Sequence, residues 1–142
     1  MTDQPRHAEI PEIINLGEIG SCASRGQTSV PSTSWKFVLI KKDSRIHLVI
    51  GPVNLFRYHA NLVDTFCRCY EIPASKARGT QRVEIYDRSV RVLGGGQATV
   101  NPESRSVRFY GQSTAYGQYD TDAVKAILQR SSLFAGFSVL VN

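Results

Sequence analysis

The sequence predicts a single domain of the α/β (α+β) class, a mixed β-sheet with two α-helices. Three observations lead there. Most of the chain from residue 35 onward alternates apolar and polar residues with the period of a strand. Two stretches, one central and one near the end, switch to the 3.6-residue period of a helix. A length of 142 residues without internal repeats suits one modest core.

Residues 10–16 carry enough apolar positions for one short strand, and 17–34 is a Gly-, Ser- and Thr-rich loop. Residues 1–34 are therefore expected to form a partly flexible N-terminal extension ahead of a domain spanning 35–142. Residues 35–42 and 46–53 read as strands joined at Asp43-Ser44, a hairpin. Asn54 is a suitable helix cap, and Leu55, Tyr58, Leu62, Val63, Phe66 and Tyr70 follow as the buried stripe. Pro73 ends that helix, and 74–80 reads as an exposed basic loop. Alternation returns at Val83, Ile85, Val90 and Val92, as one long strand or two shorter ones. Residues 98–101 and 105–111 pair around the turn Asn101-Pro102-Glu103-Ser104. A second helix is predicted over 121–130, with Val124, Ile127 and Leu128 inward, and a last strand over 137–141.

Composition narrows the classes of function. Hydrophobic residues at 42% and charged residues at 20% fit a globular chain, not a disordered one. No apolar run approaches a membrane span, so no membrane partner is expected, and the start MTDQPRHAEIPE lacks a signal-peptide core. Cys22, Cys67 and Cys69 are odd in number, and two of them stand two apart on a helix, pointing different ways. Reduced thiols and a cytoplasmic location are the expectation. A net charge of +5 favours acidic partners, although the arginines are scattered and a solvated surface explains them equally well. Nothing resembles an RNA-binding motif, which gives a nucleic-acid partner no support. No His-x-x-x-His pair occurs and no metal or other cofactor is implied.

The most informative stretch is RSVRFYGQSTAYG, Arg105 to Gly117. It runs from a strand into a loop of small residues, followed by a helix start near Asp120. Such a loop either makes an ordinary turn or directs several N–H groups at one anion. Ser113 and Ala115, with Thr114 between them, would form that cradle. His59, beside the apolar stripe near a positive helix end, is either a satisfied core histidine or a neutral imidazole able to accept a proton or phosphoryl group. His7 and His47 lie outside any such arrangement. Lys36 shares its side of the strand with Val38 and Ile40, either snorkelling or held toward an anion. Leu93-Gly94-Gly95-Gly96 is expected to close a strand, and its glycines are no P-loop, since no Lys-Ser or Lys-Thr follows; they suit a bend or close backbone packing.

Taken together, Trp35-Lys36-Phe37-Val38-Leu39-Ile40, Tyr58-His59-Ala60, Leu93-Gly94-Gly95-Gly96 and Tyr110-Gly111-Gln112-Ser113-Thr114-Ala115-Tyr116-Gly117 resemble, in this order, the Janus family, whose best-known member is the protein phosphohistidine phosphatase. The resemblance runs from residue 36 to about 128 and more loosely back to 10–13. It implies a mixed sheet with two helices and a metal-independent hydrolase, a protein phosphatase acting on phosphohistidine in proteins. It makes His59 catalytic, as general base or as phosphoryl acceptor, and Lys36, Ser113, Thr114 and Ala115 the substrate-binding residues, with Gly96 and Gln97 as accessories. Phosphohistidine-containing proteins are the implied partners, and a monomer is expected. One departure stands out: the family usually has arginine directly after the three glycines, where this chain has Gln97. Arg108 and Arg91 are the candidates to replace that charge. Thr114 and the insertions around 17–34 and 74–80 also differ. The alternative is a non-catalytic Janus-like protein, regulatory or phosphoprotein-binding.

Overall fold

The computed structural model describes residues 10–17 and 34–142. His7, Cys22 and nearly all of the loop expected over 17–34 lie outside them. The described elements are β1 (Ile13–Asn15), β2 (Ser34–Lys42), β3 (Arg45–Pro52), α1 (His59–Cys69), β4 (Val90–Asn101), β5 (Ser106–Tyr110), α2 (Thr121–Gln129) and β6 (Ser138–Val141). The strands form one sheet in the order β1-β3-β2-β4-β5-β6. Its centre is antiparallel, and parallel pairs, β1 with β3 and β5 with β6, close the two edges. This is the mixed α+β architecture expected from the alternation.

A helix covers each face. Alternate residues of β2 divide between them: Val38 and Ile40 pack with Ala60, Leu62, Val63 and Phe66 of α1. Phe37 and Leu39 pack with Val124 and Ile127 of α2. Phe37 also meets the rings of Phe109 and Tyr119 edge-on, at 5.2 and 4.9 Å between centroids. The β2–β3 hairpin turns where expected, with Asp43 at φ 58°, a left-handed conformation that Asp tolerates better than most residues. Asp120 caps α2, its carboxylate accepting the N–H groups of Asp122 and Ala123.

Three local expectations give way. The first helix starts at His59, not after Asn54. The Pro52 carbonyl accepts the N–H of both Leu55 and Phe56, closing a separate turn, and Leu55 is 52% exposed. Tyr58 is then extended at φ −126° and ψ 153°, which breaks any helix from Asn54, and it becomes the cap. Secondly, Val83 and Ile85 do not lie in a ladder; an isolated bridge joins Ile85 to Ala74. Their alternation reflects burial of Val83 in the α1-side core instead. Thirdly, the three glycines do not close a strand but sit in the middle of β4. There the pairing with β2 shifts: Ile40 faces Val92 and Leu39 faces Gly94, leaving Leu93 as an unpaired bulge residue.

Candidate active site

The site forms where the N-terminus of α1 meets the middle of the sheet. Because Tyr58 is the cap, His59 is the first residue of the helix and projects from its positive end. Its backbone N–H and that of Ala60 have no acceptor within their own helix, as for any first turn. The Tyr58 N–H is satisfied by Asn61 Oδ1 at 2.9 Å, which pins the entry of the chain.

The sheet brings Lys36 to the same place. Lys36 lies opposite Gln97 across the antiparallel β2–β4 pair, so their side chains share the α1 face. Between them and the helix the sheet has to be bare. A Cβ on Gly95 would lie 2.5 Å from the Phe37 carbonyl oxygen and 3.1 Å from His59 Cδ2. The glycines thus let the imidazole rest directly on the strand backbone.

The loop after β5 forms the opposite wall. Ser113 and Gly117 exchange backbone hydrogen bonds at 3.1 and 2.8 Å, and Ser113 Oγ accepts the Tyr116 N–H at 3.0 Å. Gly95 donates to the Gly117 carbonyl, fastening this loop to β4. The Tyr116 hydroxyl accepts the Val83 N–H at 2.8 Å and ties in the segment that carries Thr80. The N–H groups of Thr114 and Ala115 have no acceptor among the described residues.

These walls enclose a cleft of about 230 Å³. Lys36, Gln97, His59, Thr114 and Ala115 all line it, so four of the five residues implied as catalytic or substrate-binding meet there, together with the accessory Gln97. Ser113 does not line it: it is 1% exposed, and its hydroxyl shapes the loop from behind. Gly96 contributes through its carbonyl, which accepts a hydrogen bond from His59 Nε2 at 2.8 Å. Since a carbonyl can only accept, Nε2 carries the proton, and Nδ1 holds the imidazole's free lone pair. Burial lowers the pKa of His59 from its ordinary value; the Gly96 carbonyl opposes this, and the nearby Lys36 ammonium lowers it further. The neutral imidazole is the form favoured at neutral pH.

Arg57, Tyr58, Thr80 and Gln112 also line the cleft and were not named as site residues from the sequence. Arg57 had one available signal, its position just before Tyr58-His59-Ala60. Neither arginine considered as a stand-in at position 97 reaches the cleft. Arg108 lies over the Tyr110 ring at 4.3 Å, and Arg91 pairs with Lys41 beyond the bulge. His47, 2% exposed, is a core residue whose Nδ1 bonds to the Pro11 carbonyl at 2.7 Å. Cys67 is buried with its thiol pushed up to about 12, chiefly by desolvation, whereas Cys69 is exposed. Among the described residues no cluster of three or more His, Cys, Asp or Glu could hold a metal, and no helix is long and apolar enough to cross a membrane.

No curated protein matches the chain. The sequence profile of the Janus/Ocnus family (Ocnus) matches residues 27–137, more than half of its length and all of the cleft-forming elements. With the lysine strand, the helix-initiating histidine, the glycine strand and the small-residue loop meeting in that span, the chain belongs to the Janus/Ocnus family.

Proposed function

We propose that the protein is a metal-independent phosphatase that hydrolyses phosphohistidine in proteins, acting in the cytoplasm. The observation that carries this reading is the fixed tautomer of His59 at the cleft. The Gly96 carbonyl holds Nε2–H, leaving Nδ1 as the basic nitrogen beside Lys36 and two unaccepted loop N–H groups.

In this reading the Lys36 ammonium and the N–H groups of Thr114 and Ala115 bind the phosphoryl oxygens, helped by the positive end of α1. Ser113 keeps that loop in shape. The phosphoramidate bond is labile, so positioning and charge neutralisation supply most of the acceleration. His59 Nδ1 then works by one of two routes. As general base it takes a proton from the attacking water while the P–N bond to the substrate imidazole breaks. As nucleophile it forms a P–N bond of its own as the substrate's breaks, and water hydrolyses the intermediate later.

The test is phosphate release from a phosphohistidine-bearing protein with EDTA present, comparing wild type with His59→Ala. Release by wild type and none by a folded His59→Ala protein supports the reading. Absence of release by wild type, with phosphoprotein binding that depends on Lys36, makes the protein a binding module instead. Radiolabel trapped on His59 after rapid quenching distinguishes the nucleophile from the base.

A further inference from the structure

We infer that Arg57 is a second phosphoryl-binding cation of the cleft, a substrate-binding residue that works with Lys36 from the opposite wall. This rests on the phosphoryl-binding reading above and specifies which side chains deliver the charge.

The cleft is lined by two cations, Lys36 and Arg57, and by no carboxylate. The neutral Gln97 lies directly across from Lys36. A phosphoryl group carries between one and two negative charges at neutral pH, and one ammonium leaves part of that unbalanced. Arg57 is the available complement. It directly precedes the cap of α1 and lines the same cleft as the first turn of that helix. It is exposed and forms no ion pair among the described residues. Three other cations are held in ion pairs away from the cleft, Arg68 with Asp64, Arg130 with Glu12 and Lys42 with Asp43, and Arg108 packs closely, at 4.3 Å, over the Tyr110 ring.

The contact that Arg57 does make orients it without neutralising it. Its guanidinium carbon lies 5.6 Å from the centre of the Tyr58 ring, at the long end of a cation–π contact. The five donors of the fork have no hydrogen-bond acceptor among the described residues, and two parallel N–H···O bonds would bind one phosphoryl edge. Lys36 acts as a point charge from the sheet, Arg57 as a fork from the helix end, and the Thr114–Ala115 N–H groups meet the remaining oxygen.

The experiment measures the affinity for inorganic phosphate by NMR titration and turnover of a phosphohistidine-bearing protein on the same variants, each shown to unfold cooperatively. Arg57→Met should weaken phosphate binding about ten- to a hundredfold, as expected for a lost charge-assisted contact. Arg57→Lys should restore part of it. Arg57→Met combined with Gln97→Arg should recover most of it, because position 97 presents a fork to the same space. Arg130→Met, on the other side of the sheet, should change nothing; a loss as large as that of Arg57→Met would reduce the effect to net charge and overturn the inference. Unchanged phosphate affinity in Arg57→Met would overturn it directly. If wild type binds no phosphate, both this inference and the phosphoryl-binding reading fall. If wild type binds phosphate through Arg57 yet releases none from the phosphoprotein, the inference stands and the phosphatase reading fails.

Discussion

His47 and His59 are both buried on the α1 side of the sheet, and the contrast between them separates a core histidine from a candidate catalytic one. They are 2% and 7% exposed. Each bonds one ring nitrogen to a backbone carbonyl, at 2.7 and 2.8 Å, and burial lowers the pKa of each. Burial, tautomer locking and pKa therefore fail to distinguish them. What differs is the surroundings of the second nitrogen. His47 faces Phe66, 6.4 Å ring to ring, with Arg45, Glu12 and Lys42 as the nearby charges. His59 opens into a cleft with Lys36, Arg57 and unaccepted loop N–H groups. A perturbed histidine marks a site only when something beside it can bind a substrate.

The largest effect expected from this contrast is on turnover. His59→Ala should lower phosphohistidine hydrolysis by about 10²–10⁴-fold or more while keeping a cooperative urea transition. His47→Ala should leave turnover near wild type and cost about 1–3 kcal/mol of stability, because it leaves the Pro11 carbonyl unpaired. An active His59→Ala protein, or an inactive but folded His47→Ala protein, would reverse the assignments.

The next effect concerns the bare strand beneath His59. Gly95→Ala forces a Cβ to 2.5 Å from a backbone oxygen that has nowhere to go. We expect a loss of about 1–3 kcal/mol or more in denaturant unfolding, with displacement of the imidazole and loss of activity. Native stability in that variant would mean that β4 and β2 separate more easily than their packing indicates.

A third prediction uses pH to tell the histidines apart. In both, the folded state holds a proton less tightly than the unfolded chain, whose value is near 6.5. As pH falls below 6.5 the unfolded chain takes up protons first, so stability should decline toward acid pH through the lowered folded-state values. His47→Gln should remove part of that slope. The fall in turnover belongs to His59 alone, lies below pH 6.5, and should persist unchanged in His47→Gln; a rate profile that moves with His47 would break the distinction. The smallest effect is expected from Gln97→Arg in the otherwise native protein: a gain of up to about tenfold in phosphate affinity, since Arg57 already supplies a fork. No gain would place the position 97 side chain away from the anion.

Features specified by neighbouring residues were legible in the sequence. The β2–β3 hairpin, β5, and α2 with its start near Asp120 each depend on a period or a turn that a short window contains. Membership of one face was legible too: Lys36 does share its side with Val38 and Ile40, and the four family motifs do converge. What failed depended on contacts distant in sequence or on competing local bonds. Asn54 looked like a cap, yet the Pro52 carbonyl captures Leu55 and Phe56 in a turn first. The alternation of Val83 and Ile85 had no partner strand to join. The burial of Ser113 was not legible either: it is 1% exposed, and its hydroxyl accepts the loop's own Tyr116 N–H. Arg57 was missed because nothing in its immediate neighbours shows that a loop 55 residues later forms the other wall.

The bulge at Leu93 makes β4 a strand read in two frames. On its first segment the even-numbered residues face α1, as Val90 and Val92 do in that core; past the bulge the odd-numbered Gly95 and Gln97 take over that side. Uninterrupted spelling from Val90 would turn Gly94 and Gly96 toward α1 and send Gln97 to the face of α2. Gly94, at φ 122° and with no room for a Cβ against the Gln118 carbonyl, marks where the frame changes. Removing one residue between Val92 and Gly95 would thus straighten the strand and leave Gly95, Gln97, Ala98 and Val100 on the sides they now occupy. Inserting one there would instead exchange inside for outside along the whole downstream half of the strand and erase the cleft without touching a residue that lines it.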